Sequence, residues 1–183
     1  TERMRNTIEP VWRRTGHDPE AKFSGSEGVD DLTFCPSRLW RIGQGQRILT
    51  PMPFRIMAKT FVCTDKTLGL EHMPGYIKGI AQGFKYYDWV PVLGDAVKGI
   101  LSQAKGIKPV VAKENDNPYK IRLKEAINNV DMAEVRDYFY AVYGMLPSKF
   151  EYLQQVPFVQ HPGHSWNLPL MEEGCRIDGV LKP

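Results

Sequence analysis

The chain of 183 residues has no apolar run near the roughly 20 residues a helix needs to cross a bilayer, so a soluble or peripheral protein is expected. Cysteine is scarce: Cys35, Cys63 and Cys175 are odd in number and widely spaced, which argues against a disulfide scaffold and fits a reducing compartment. Excess charge is small, with 24 Lys and Arg against 21 Asp and Glu for a formal net charge of +3. That is mildly basic, below what a protein held mainly by phosphate contacts carries. From Leu153 to Gly174 there is no Lys or Arg at all, so this stretch offers no basic limb to a nucleic acid.

Catalytic signatures are lacking as well. Ser165 sits in no Gly-x-Ser-x-Gly elbow. Gly43-Gln-Gly45 has no third glycine, no Lys-Ser/Thr pair and no helix start behind it, so it reads as a turn rather than a phosphate loop. His161 and His164 stand on a Pro-Gly turn, but a metal needs three or four convergent donors, and only Cys175 or a distant Cys63/His72 pair could add any. No enzyme activity, cofactor, metal or small-molecule substrate is expected.

What is present is one well-marked unit. Tyr119, Ile121 and Leu123 alternate with Lys120, Arg122 and Lys124, the period-two pattern of a strand with one buried face. Asp131 stands where an N-cap belongs, with Glu134 three residues on as a variant of the capping box. Val135, Tyr138, Phe139 and Val142 recur at helical spacing, Tyr143-Gly144 supplies a stop, and Pro147 prevents the helix from resuming. Phe150 and Tyr152 then alternate with Lys149 and Glu151, predicting a second strand beside the first, with the helix across the sheet.

At Asp131, Glu134, Val135, Arg136, Tyr138, Phe139, Val142, Tyr143 and Gly144 the chain resembles one family, the universal large-subunit ribosomal protein conventionally numbered twenty-three, which lies beside the polypeptide tunnel exit. Ile107 to Lys113 looks like that family's opening strand, and the resemblance covers residues 107 to 153, with the mitochondrial members nearest in pattern. It implies a small α/β fold with a mostly antiparallel sheet and one helix packed across a face. It also implies a structural role in the large subunit of a mitochondrial ribosome, with ribosomal RNA and neighbouring ribosomal proteins as partners in the matrix.

Around that core the sequence predicts four segments: an extended arm over 1–37, a hairpin and short-helix extension over 38–106, the core over 107–153 and an extended tail over 154–183. Thr1 in place of an initiator Met fits a removed presequence or other trimming. Leu39 to Ile42 and Arg47 to Leu49 flank Gly43-Gln-Gly-Gln46 as a hairpin, with a further strand over Phe54 to Val62. Arg38, Trp40, Arg41, Arg47 and Arg55 group arginines around an aromatic that could stack on a base, with a solvated hairpin over a core tryptophan as the alternative. With Lys120 and Arg122 they form the expected RNA contact.

Gly75, Gly79 and Gly83 recur every four residues beside the helical stripes Ile77/Ile80/Ala81/Phe84 and Val97/Ile100/Leu101, which suggests short helices packed on a protein neighbour or lying near the inner membrane surface. Phe84, Trp89, Phe158 and Trp166 are the expected anchors for protein partners. The competing reading is a non-catalytic accessory subunit of a mitochondrial respiratory complex.

Overall fold

A computed structural model describes Pro10, Arg14 and residues 33–34, 37–60, 68–110, 129–159 and 169–180. Contacts divide the chain between Leu32 and Thr33, and the elements below belong to the unit Thr33–Pro183. The expected arm over 1–37 and the strand over Tyr119–Leu123 lie, almost entirely and entirely, outside the described residues.

The fold mixes an antiparallel sheet with several helices. Strand β1 (Thr33–Phe34) adds one short edge to the hairpin of β2 (Ser37–Gly43) and β3 (Gln46–Pro51), in the order β1-β2-β3. The hairpin turns on Gln44 and Gly45, both at positive φ (53° and 71°), the pairing whose twist suits tightly joined strands. Gly43 is required twice over. Its φ is 113°, and a Cβ there would lie 2.8 Å from the Asp131 Cβ.

That close approach seats helix α4 (Met132–Tyr143) against β2. Asp131 Oδ1 accepts from the amides of Ala133 (2.9 Å) and Glu134 (3.3 Å), as its cap position predicts. The return half of the capping box is supplied differently, because the Asp131 amide donates to the Ile42 carbonyl at 2.8 Å. The hairpin thus takes the bond expected of Glu134. Gly144 closes the helix at φ 64°, donating to Tyr140 O.

Three expected strands are corrected. Phe54 to Thr60 belongs to helix α1 (Pro53–Thr60), which opens on a proline suited to a first turn and buries Phe54 and Met57 three residues apart. Its first-turn amides, Phe54 N and Arg55 N, are capped by Asp178 from 124 and 123 residues away, a partner no local pattern reveals. Residues 149–152 lie inside the 3-10 helix Pro147–Gln154, whose three-residue turn puts Phe150 and Leu153 together in the core. Two alternating pairs had mimicked a strand. Ile107 to Val110 has no regular structure and runs along helix α2 (Met73–Gly83).

That last contact is what the glycine spacing serves. A Cβ at Gly75 would meet Lys108 O at 2.7 Å and one at Gly79 would meet Val110 O at 2.5 Å, while Val110 N donates to Gly75 O at 2.9 Å. Helix α3 (Leu93–Gln103) is entered through a γ-turn of the rare positive-φ kind at buried Val92 (φ 71°, ψ −62°), closed by Leu93 N to Pro91 O at 2.8 Å. Gly99 lets α3 reach the backbone of the 3-10 helix, where a Cβ would lie 2.8 Å from Gln154 O.

The segments expected as extensions are parts of one core. Trp40, Phe54, Ile77, Trp89, Ile100, Phe139, Phe150, Phe158 and Met171, drawn from residues 38–106, 107–153 and 154–183 alike, belong to a single buried cluster. Aromatic rings run through it, with Phe139–Tyr143 centroids at 4.7 Å, Phe54–Tyr143 at 5.1 Å and Phe54–Phe150 at 5.4 Å. Helix α5 (Pro169–Ile177) packs on α1 and completes the unit.

Candidate nucleic-acid interface

Strand alternation sorts the arginine group into two faces. On β2, Trp40 and Ile42 point into the core while Arg41 is exposed; on β3, Arg47 and Leu49 are exposed. The register pairs Arg41 with Arg47 and Leu39 with Leu49 directly across the hairpin. The outer face therefore carries two guanidinium groups at opposed positions beside an aliphatic pair, next to the exposed turn residues Gln44, Gly45 and Gln46. Guanidinium forks match phosphate oxygens in a way lysine does not.

The expected stacking role of Trp40 is corrected. Its ring is fully buried, 5.3 Å from Tyr138 and 6.1 Å from Trp89, so no base can reach it. The alternative reading, a core tryptophan under a solvated hairpin, is the one the fold adopts. Arg38 is half-buried on the same inward side, and Arg55 is half-buried in the first turn of α1. Among the described residues, Trp40 Nε1 and Arg38 Nε are buried with no hydrogen-bond partner. Lys120 and Arg122 lie outside the described residues.

The expected protein anchors fare similarly. Trp89 is buried and donates through Nε1 to Tyr86 O at 3.1 Å, and Phe158 is buried in the same core. Both are consumed by the chain's own packing. Phe84 is half-buried, 6.3 Å from Tyr87, and Trp166 lies outside the described residues.

A second polar cluster was missed by sequence reading. Buried Asp178 accepts from Phe54 N (3.0 Å) and Arg55 N (3.2 Å) through Oδ2, and from Tyr143 Oη (2.8 Å) through Oδ1. Burial raises its carboxyl above the ordinary value, against the lowering effect of the Tyr143 bond, the Arg55 and Phe54 amides and the Arg38 charge. Burial first, and the neighbouring carboxylate second, raise the Tyr143 phenol. Burial, with Asp178 and Glu172, likewise raises the Cys175 thiol, so Cys175 stays protonated and is a poor nucleophile. Every donor on this carboxylate holds one element to another, and the cluster acts as a structural tie. The sequence shows only an ordinary Ile177-Asp178-Gly179 turn, with no signal of what Asp178 meets.

Among the described residues no group of three or more His, Cys, Asp or Glu could hold a metal ion, and no helix is long and apolar enough to cross a membrane. No family model matches the chain, and comparisons with curated proteins and with solved structures find no match.

Proposed function

We propose that the chain is a non-catalytic structural subunit of a ribonucleoprotein, contacting RNA through the outer face of the β2–β3 hairpin. The observation that carries the reading is the register that sets Arg41 opposite Arg47 on the exposed side of a hairpin whose other side is locked to the core by Trp40 and Ile42. A hairpin with two arginines opposed on its exposed side suits a phosphodiester backbone, contact with which positions a protein without reading sequence.

The large subunit of a mitochondrial ribosome is the particle favoured by the sequence resemblance, with its RNA and neighbouring proteins as partners in the matrix. Within that resemblance the capped helix Met132–Tyr143 is formed, while the strand expected after it is a 3-10 helix. The proposal therefore rests chiefly on the hairpin. The glycine-spaced helix that had suggested an accessory subunit of a respiratory complex uses Gly75 and Gly79 for packing within its own fold.

Charge reversal of both outer arginines, Arg41→Glu with Arg47→Glu, tests the reading in the full chain. Salt-resistant co-sedimentation with large ribosomal subunits is expected for the parent chain and lost in the variant. Retention of the variant on the particle, or migration of the parent with a respiratory assembly, overturns it.

A further inference from the structure

Helix α3 is almost wholly enclosed: Leu93, Gly94, Ala96, Val97, Gly99 and Ile100 are buried. The exposed positions left on it are Lys98 and Ser102, and Lys105 just past its end and Lys108 beyond Gly106 are exposed as well. Lys105 lies in the turn that follows the last helical residue, Gln103. The helix has a single acidic residue, Asp95, and its carboxylate is occupied, accepting from Val92 N at 3.3 Å and from Gln154 Nε2 at 2.8 Å. None of the three lysines makes an ion pair with a described carboxylate.

The bland account of lysines at the end of a helix is that they satisfy its last carbonyls. Here another element reaches that end of the helix. Lys78 Nζ of α2 donates to the C-cap carbonyl Ala104 O at 2.9 Å and to Ile107 O at 2.6 Å, tying α2 to the turn that follows α3. Among the described residues no hydrogen bond or ion pair uses the side chains of Lys98, Lys105 or Lys108, and the Lys78 charge at the same turn adds to the positive field they share.

We infer that Lys98, Lys105 and Lys108 form a second RNA-backbone contact, a phosphate-binding ridge separate from the hairpin. The inference deepens the ribonucleoprotein reading and rests on it for the choice of RNA as the polyanion. Charge complementarity carries it: three exposed lysines with no acidic residue among the described residues from Lys98 to Val110 fit a regularly spaced anion and read no base. Each lysine that neutralises a phosphate releases counterion, so affinity for a single strand falls with log salt by about 0.7 per contact.

The test measures fluorescence anisotropy of a labelled uridine oligomer over a salt series. The full chain is compared with the triple variant Lys98→Gln/Lys105→Gln/Lys108→Gln, with Lys→Arg at the same three positions, and with Arg41→Glu/Arg47→Glu. Unchanged circular dichroism and melting temperature are expected for the ridge variants, because the side chains are exposed. The neutralised ridge should lower the log–log salt slope by roughly 2, three contacts at about 0.7 each, and the arginine ridge should keep it. A parental slope in the neutralised variant overturns the ridge while leaving the hairpin reading to its own variant. Loss of slope with the ridge but not with the hairpin variant supports the ridge and removes the hairpin. Loss of binding to phosphatidylserine vesicles with RNA affinity unchanged assigns the three lysines to a lipid surface and overturns it.

Discussion

Replacing Asp178 with alanine removes three hydrogen bonds at once, and their geometry sets the expected loss. Phe54 N and Arg55 N lose the acceptor that caps α1, a change that costs about 1 kcal/mol for a helix start. Tyr143 Oη, in a fully enclosed position, is left without its partner, which costs a further ~1–3 kcal/mol. Against this, the variant no longer desolvates a carboxylate, whose raised pKa shows that burial outweighs its donors. A net loss of about 2–3 kcal/mol follows, or a melting temperature lower by roughly 5–10 °C for a unit of this size.

The pH dependence sharpens the test. A carboxyl whose folded pKa is raised contributes stability that is fully present below its unfolded pKa, near ~3.9, and is lost as pH rises through the folded value. The gap between parent and Asp178→Ala should therefore be widest in acid and narrow toward neutrality. Urea denaturation across that range measures both quantities. A loss below about 0.5 kcal/mol at every pH, or a gap that widens toward neutrality, would refute the account of Asp178 as a desolvated tie.

Gly99→Ala places a methyl within 2.8–2.9 Å of the Gln154 and Leu153 backbone, which cannot yield as a side chain would, so a loss of about 1–3 kcal/mol in urea denaturation is expected. A neutral result would mean that α3 and the 3-10 helix are not in close backbone contact. Lys78→Met retains most of the stem but leaves Ala104 O and Ile107 O without their charged donor, and should cost about 1.5–3 kcal/mol while deprotecting amides near residues 104–107 in hydrogen exchange. Unchanged protection there would show that those carbonyls do not depend on Lys78.

The parts of the fold that were legible share one property: their partners lie within a few residues. Asp131 caps amides two and three positions ahead, Gly144 closes a turn four residues long, and Gln44-Gly45 joins strands that adjoin it. The stretches that misled were short. Phe150 and Tyr152 alternate over four residues, which fits a strand, yet the residue that settles the matter is Leu153, three from Phe150, and its burial depends on α3. Phe54 to Val62 is rich in β-formers, and the carboxylate that caps its described part as a helix lies more than a hundred residues away.

The candidate site divides along the same line. Its residue types were visible in the sequence, and the alternation that exposes Arg41 and Arg47 follows from the strand period alone. Whether Trp40 faces a ligand or a core was open in the sequence, because an inward aromatic and a stacking platform have the same spacing. Helix α4 and Trp89 close over Trp40 only in the assembled fold.

By itself, then, the sequence determined the hairpin turn and the capped helix after Asp131. Only the tertiary structure decided that Trp89 and Phe158 are core rather than anchors, that glycines in α2 and α3 admit neighbouring backbone, and that Lys98, Lys105 and Lys108 are exposed while Lys78 is bound to the turn after α3. Local hydrogen bonding is written in neighbouring residues, whereas burial is a property of which distant surfaces meet, and no short window of sequence contains both.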